Sequence, residues 1–221
     1  MKVLAIIPAY NEETTIGEVI AKTMPFVSDV VVINDGSRDN TATQAKEAGA
    51  IVLSLPLNRG LGSALRTGFL YATVKKYDMV VTLDADLQHD PTEIPKFVEK
   101  ISQGTHVVIG SRLLERKGHM PWYRILFNIV GNFITPHGNK TTDSQSGFRA
   151  FSLHALNTMR LTSQRMEISS EIISETFKNK LQYTEVPIQA IYSTYSLSKG
   201  QSIIEGLLTL WRLHVVSKFL K

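Results

Sequence analysis

Short apolar runs alternate with longer amphipathic stretches along most of the chain. Each run is rich in β-branched residues and ends at polar or turn-forming residues. This pattern is typical of strands buried on both faces. We predict strands at residues 2–9, 30–33, 51–55, 79–83, 106–110 and 183–188, with one further strand entered from 142–151. Helical periodicity predicts helices at 14–24, 41–48, 60–76, 92–101 and 166–177. The alternation indicates an α/β fold with a mainly parallel central sheet flanked by helices.

The pattern changes after residue 110. A basic, irregular stretch at 111–121 leads into residues 122–134, which are apolar nearly all round, and the chain ends in an amphipathic helix at 203–219. Both segments are shorter than the ~20 apolar residues of a bilayer span, so both are candidates for contact with a membrane surface. The alternative is that they pack on the core, which is the commoner outcome for a helix with one apolar face.

Composition narrows the class of protein. The chain has 221 residues, no Cys and a formal net charge of +4. The lack of Cys excludes a disulfide framework and thiol chemistry. The modest positive charge suits anionic ligands or an anionic membrane surface as well as nucleic acid. The apolar start is too short for a signal peptide, so we expect a cytoplasmic protein. The two candidate interfacial segments predict that it binds peripherally to the cytoplasmic face of the membrane.

Two carboxylates follow the predicted strand at 79–83. Asp84 and Asp86 stand where this strand gives way to a loop, and Pro91 then opens a helix. That position is the carboxyl edge of the sheet, where open α/β sheets bind ligands. Two neighbouring carboxylates favour a hard divalent cation, Mg²⁺ or Mn²⁺. The alternative is an acidic turn in which Asp90 caps the helix.

Other nucleotide and phosphate motifs fit poorly. The sequence GLGSAL at 60–65 lacks the third Gly of a dinucleotide fingerprint, and no P-loop ending in Gly-Lys-Ser/Thr occurs. A phosphatase of the haloacid dehalogenase type, with Asp84 as nucleophile, shares the Asp-x-Asp pattern. In that class the pattern usually lies on the first strand, whereas four predicted strands precede it here.

Four motifs occur in a characteristic order: PAYNE at 8–12, DGS at 35–37, DADLQ at 84–88 and SGFR at 146–149. Over residues 1 to about 190 the chain resembles the family 2 inverting glycosyltransferases of the GT-A fold. It is most similar to the branch that includes dolichyl-phosphate mannose synthase. Asn34 departs from the family, which usually has a second Asp there.

The resemblance implies a single GT-A domain over residues 1–221. Residues 1–110 would bind the nucleotide sugar, residues 111–200 the acceptor, and residues 201–221 would form an amphipathic helix at the membrane. Asp86 and Gln88 would hold the metal, and Asp84, with Ala85 beside it, would approach the ribose or the sugar. The nucleoside pocket would be lined by Pro8, Tyr10, Glu12 and Asp35. The donor would be GDP-mannose or a UDP-hexose, and the acceptor a polyprenyl or dolichyl phosphate.

A phosphate acceptor needs cations rather than a general base, because its oxygen is already anionic at pH 7. Arg112, Arg149 and Lys199 are the candidate cations, and Arg112 and Lys199 join Asp86 in the expected catalytic set; solvated surface charges are the alternative. For an alcohol acceptor, Glu171 is the best candidate base. Transfer to a sugar hydroxyl therefore stays open, as does a catalytically silent module that binds nucleotide sugars or lipid phosphates.

Overall fold

The computed structural model describes residues 1–114, 132, 133, 135–189 and 191. Within these residues the strands are β1 (Val3–Ala9), β2 (Asp29–Asn34), β3 (Ile51–Ser54), β4 (Met79–Thr82), β5 (Val107–Ser111), β6 (Arg149–Ser152) and β7 (Tyr183–Pro187). The helices are α1 (Ile16–Thr23), α2 (Thr41–Glu47), α3 (Leu61–Val74), α4 (Ile94–Ser102), α5 (Leu153–Thr158) and α6 (Ile168–Lys178). Short 3₁₀ turns cover Met24–Phe26, Pro91–Glu93 and Gly138–Lys140.

The strands form a sheet in the order β3-β2-β1-β4-β6-β5-β7. All neighbouring pairs are parallel except those of β6, which runs antiparallel to β4 and β5. The predicted α/β fold with a mainly parallel sheet is therefore confirmed. Because β6 runs the other way, it begins where β4 and β5 end, and its first residue, Arg149, pairs with Thr82 on one side and Ile109 on the other.

Helices cover both faces of the sheet. Successive residues of β1 alternate between two cores, with Ala5 and Ile7 on one side and Leu4 and Ile6 on the other. The first core contains apolar side chains of α1, α2 and α4, and the second those of α3, α5 and α6. A strand covered on both faces must be apolar at consecutive positions, which explains why the central strands are continuous apolar runs.

The predicted helices and strands form close to their expected bounds. One helix was not predicted: α5 follows β6 directly, and the Ser152 hydroxyl caps it by accepting from the Ala155 N–H at 3.2 Å. Most of the apolar segment 122–134, the C-terminal helix predicted at 203–219, and Lys199 lie outside the described residues. No helix in the described part of the chain is long and apolar enough to cross a bilayer. The division into donor and acceptor halves stays a prediction.

Candidate active site

The loops that follow β1, β2, β4 and β5 meet at the carboxyl edge of the sheet. Asp84 lies just beyond β4, at the centre of this edge. Gly147 packs against it so closely that a Cβ on Gly147 would stand 2.3 Å from Asp84 Oδ1. Gly147 is itself held by its carbonyl oxygen, which accepts from the Thr82 hydroxyl at 2.7 Å. The carboxylate of Asp84 is thus fitted against the backbone of the segment that leads into β6.

A buried histidine fixes the start of the acidic loop. His89 Nδ1 accepts a hydrogen bond from the Asp84 N–H at 3.1 Å, and its Nε2 lies 3.6 Å from Asp84 Oδ2. Its ring stacks on Phe148, which stacks in turn on Phe97. Burial lowers the pKa of His89 to about 4, so the ring is neutral at pH 7 and acts as a hydrogen-bonding support.

Asp86 and Gln88 form one compact unit. The Gln88 N–H donates to Asp86 Oδ1 at 3.1 Å, and the Gln88 side-chain amide contacts the other carboxylate oxygen. Leu87 between them has φ of +64°, a left-handed conformation that costs energy for a branched side chain. Burial, and then the neighbouring Asp84, raise the pKa of Asp86. The turn therefore concentrates negative charge and oxygen donors at one point.

This donor set fits a hard divalent cation. Carboxylate and amide oxygens are the ligands that Mg²⁺ and Mn²⁺ prefer, and Mg²⁺ is commonly held by one or two carboxylates together with substrate phosphates. Among the described residues, no three His, Cys, Asp or Glu side chains come together as a metal cage. Asp86 and Gln88 would therefore supply part of a coordination shell that phosphate oxygens complete.

The cation at the end of β5 is fixed by a buried partner. Asp143 binds Arg112 through two parallel contacts, Nε to Oδ2 at 2.7 Å and Nη2 to Oδ1 at 2.8 Å, and it also accepts from the Arg112 N–H at 3.1 Å. The Asp143 side chain is fully buried, whereas that of Arg112 is 16% exposed. Arg112 is thus an oriented cation rather than a solvated one.

Sequence reasoning missed Asp143. It lies in the stretch before the SGFR motif, and its position three residues before Ser146 was the available signal. Only the fold, which brings it beside a residue 31 positions away, reveals its role.

Arg149 is buried at the start of β6, opposite Thr82 at the end of β4. It is 3% exposed, and its Nη2 donates to the Ser144 carbonyl oxygen at 2.7 Å. Its Nη1 lies 3.5 Å from the Ser169 carbonyl oxygen. Burial lowers its pKa to about 10, so it remains charged at pH 7. These contacts anchor the guanidinium, and Arg149 lines one cavity together with Pro8, Asp84 and Gly147. Its contact with substrate stays a prediction.

Charged groups from several loops of this edge affect the pKa of Asp84. Its side chain is still 41% accessible, yet enclosure by the surrounding protein raises its pKa, while Arg112 and then Arg149 oppose the rise. Glu12 adds to the rise, so the loop after β1 also faces this carboxylate. The structure therefore brings Glu12, Asp84, Arg112 and Arg149 within electrostatic range of one another.

The loops after β1 and β2 are tied together. The Asn11 N–H donates to the Ser37 hydroxyl at 3.0 Å, and the Asn11 side chain accepts from the Arg38 N–H at 2.9 Å. The Glu12 N–H donates to the Thr41 hydroxyl at 2.8 Å. These bonds hold Tyr10, which is 40% exposed, and half-buried Pro8 at the rim of the edge.

Asp35 makes contacts that the sequence did not predict. Each of its oxygens accepts a backbone N–H, from Arg59 at 2.8 Å and from Gly60 at 2.7 Å. The carboxylate is 4% exposed and holds the loop before α3 against the end of β2. Ala85 is also buried, within the core beneath the acidic loop. Contact of either side chain with a nucleoside stays a prediction.

Glu171, the candidate base, holds another loop. Its carboxylate accepts from the Thr162 N–H at 2.8 Å, the Thr162 hydroxyl at 2.7 Å and the Ser163 N–H at 2.9 Å. The structure therefore shows both oxygens of Glu171 occupied in holding the loop at 162–163.

Known proteins share this sequence pattern. The family model described as Glycosyl transferase family 2 matches residues 4–161. The UDP-N-acetylglucosamine–dolichyl-phosphate N-acetylglucosaminyltransferase of Methanococcus voltae is 36% identical over 233 residues, which span 94% of this chain and 93% of that protein. The dolichol-phosphate mannosyltransferase of Pyrococcus furiosus is 32% identical over 229 residues, spanning 96% of this chain and 64% of that protein.

Solved structures share the fold. Glucosyl-3-phosphoglycerate synthase from Mycobacterium tuberculosis, in complex with Mn²⁺, UDP and glucosyl-3-phosphoglycerate, aligns with a TM-score of 0.76. The match is 20% identical and covers 98% of this chain and 78% of that chain. It confirms the predicted arrangement of a mainly parallel sheet flanked by helices.

Proposed function

Because the chain belongs to glycosyl transferase family 2 and is a glycosyltransferase, we propose that it moves a hexose from a nucleotide sugar to a polyprenyl or dolichyl phosphate. The donor is GDP-mannose or a UDP-hexose, and the transfer inverts the anomeric centre. Relatives named for dolichyl-phosphate and undecaprenyl-phosphate acceptors support this choice of acceptor.

The observation that carries the proposal is the oriented Arg112–Asp143 pair beside Asp84. An arginine held by two parallel bonds to a buried carboxylate has a fixed orientation, and a planar guanidinium suits recognition of a phosphate. Arg149 adds a second positive charge. A sugar hydroxyl has no charge for such cations to stabilise.

The reaction then needs no protein base. A phosphomonoester has a second pKa near ~6, so at pH 7 its oxygen is already the nucleophile. This oxygen attacks the anomeric carbon in line, the bond from that carbon to the diphosphate oxygen breaks, and the nucleoside diphosphate departs with the electron pair. The three hydrogen bonds to the Glu171 carboxylate support this base-free mechanism.

Asp86 and Gln88 would hold a Mg²⁺ or Mn²⁺ ion on the donor side. When bound, such an ion neutralises the pyrophosphate and stabilises the leaving group as a Lewis acid. Asp84 would orient the ribose or the sugar, and Pro8, Tyr10, Glu12, Asp35 and Ala85 would contribute to the nucleoside pocket. Lys199 stays a candidate cation for the pyrophosphate, and attachment of the protein to the membrane surface belongs to the same proposal.

The decisive experiment supplies the full chain with labelled GDP-mannose or UDP-hexoses and with either a polyprenyl phosphate or the matching free polyprenol. We expect label in the lipid fraction only with the phosphate, and loss of the product with EDTA. Transfer to the polyprenol or to a sugar instead would refute the phosphate acceptor.

Asp86→Ala tests the metal assignment. We expect it to abolish transfer and metal-dependent binding of the donor without unfolding the protein, because Asp86 is a loop residue outside the apolar cores. Asp90→Asn in the same loop is the control, since it keeps the oxygen that accepts from the Thr92 N–H. Normal turnover by Asp86→Ala, or activity insensitive to EDTA, would contradict the assignment.

A further inference from the structure

Glu185, a residue outside the expected site, accepts several hydrogen bonds from the loop that carries Asp143. Glu185 lies on β7, and its Oε1 accepts from the Thr141 hydroxyl at 2.7 Å, the Thr142 N–H at 2.9 Å and the Asp143 N–H at 3.3 Å. Its Oε2 accepts from the Thr142 hydroxyl and the Thr142 N–H, both at 3.1 Å. Three consecutive residues of an irregular loop are thus tied to a single side chain.

This loop determines where Asp143 stands. The Asp143 carboxylate is buried and binds Arg112 through two parallel contacts, so a shift of its backbone would shift the guanidinium as well. Residues 141–143 contain neither helix nor strand. The Thr141 N–H donates to the Gly138 carbonyl oxygen, whereas the N–H groups of Thr142 and Asp143 donate to the Glu185 side chain. Its geometry therefore depends on the groups that accept from it.

The sheet gives Glu185 a fixed position. β7 pairs in parallel with β5, and Glu185 stands opposite Ile109, three residues before Arg112. The Ser111 hydroxyl contacts the Thr142 hydroxyl at 2.5 Å and ties the same loop to the end of β5. A closed ring results, which runs from β5 through Arg112, Asp143 and Thr142 to Glu185 on β7.

From this ring the structure assigns Glu185 as a positioning residue for Arg112: it fixes the 141–143 loop, and through Asp143 it sets the direction in which the arginine faces the acceptor phosphate. The assignment rests on the proposed function for the identity of the acceptor. It predicts a defect specific to the acceptor, because Glu185 bonds the loop of the acceptor half and not the Asp84–Gln88 loop.

Glu185→Gln is the first test. It keeps the shape of the side chain but places an amide NH₂ among N–H and O–H donors, where a carboxylate oxygen had accepted. A misplacement of about 1 Å can cost of order 10²-fold in rate, so we expect kcat/KM for the polyprenyl phosphate to fall by roughly 10–100-fold. The Kd of the nucleoside diphosphate with Mn²⁺ should stay within about twofold. Glu185→Asp, which keeps the charge, should restore part of the loss.

Two further variants separate positioning from a general loss of stability. Glu175→Gln is the matched control, because Glu175 also collects a loop N–H, that of Arg160 at 2.9 Å, but bonds none of residues 141–143. It should leave kcat/KM unchanged. Thr142→Val removes only the hydroxyl that meets Glu185 and Ser111, and should give a smaller loss in the same direction even if Glu185→Gln folds poorly.

A double-mutant cycle and a spectroscopic signal test the route through Arg112. In an Arg112→Lys background the added effect of Glu185→Gln should vanish, since the bidentate pair is already lost. The Arg112 Nε–H resonance, assigned by its absence in Arg112→Lys, should shift or broaden in Glu185→Gln. Additive effects, an unchanged resonance, or an equal loss in Glu175→Gln would overturn the assignment. If the wild type uses no polyprenyl phosphate, the proposed function fails, while the resonance still decides the role of Glu185.

Discussion

Gly147→Ala should damage catalysis far more than it damages the fold. The added Cβ would lie 2.3 Å from Asp84 Oδ1 and 2.7 Å from Oδ2. Non-bonded heavy atoms rest at about 3.5 Å, so the carboxylate must retreat by about 1 Å. A displacement of that size in a reacting site can lower the rate by about 10²-fold. We therefore expect kcat to fall by about two orders of magnitude.

The expected cost in stability is smaller. Overpacking typically costs about 1–3 kcal/mol, and the accessible Asp84 side chain can swing toward the cleft, so the lower end applies. The assay is formation of lipid-linked sugar at saturating donor, with the free energy of unfolding measured in parallel. Gly17→Ala in α1 is the matched control, because no atom lies within 4 Å of its added Cβ. Near-normal kcat in Gly147→Ala, with the fold intact, would refute the proposal that Asp84 orients the ribose or the sugar of the donor.

Two other predictions test the acceptor and the membrane. Arg112→Ala should reduce kcat/KM by at least about tenfold and lower the free energy of unfolding by about 3 kcal/mol, because it removes the bidentate partner of the buried Asp143. Glu171→Gln should keep kcat within a few-fold, whereas loss of a true base costs roughly 10²–10⁴-fold. The opposite result in kinetic assays of the pair would indicate a hydroxyl acceptor. The full chain should sediment with anionic vesicles at low salt, and deletion of residues 203–221 should release it; failure of the full chain to sediment would contradict membrane attachment.

The sequence predicts the parallel part of the fold well because its signals are local. A strand buried on both faces must be apolar throughout, and β1, β2 and β4 show this directly. The direction of β6 has no local signal. It depends on the path that the chain takes between β5 and Arg149, and no pattern of periodicity records that path.

The residues of the candidate site fall into the same two groups, those with a local sequence signal and those without one. Asp84 and Asp86 could be placed from sequence because a strand end fixes them. Asp143 and Glu185 could not, since each acts on a partner more than 30 residues away. Asp35 shows a second limit: its type suggested a ligand contact, but the sequence held no sign that both of its oxygens also accept backbone N–H groups. A carboxylate that can accept from a ligand can equally accept from a loop.

The antiparallel strand gives this site its distribution of charge. A parallel strand between β4 and β5 would bring another carboxyl-terminal loop to the edge, whereas β6 brings its first residue, the buried Arg149. Arg149 is held by carbonyl oxygens of two separate segments, at Ser144 and Ser169, so its charge has a fixed position in the cavity that Asp84 also lines. Arg112 and Arg149 both act on the charge of Asp84. Under the proposed function these arginines would face the acceptor, and Asp86 and Gln88 would balance a cation on the donor side. This separation would let an anionic acceptor and an anionic leaving group be stabilised at once, each by a different set of charges.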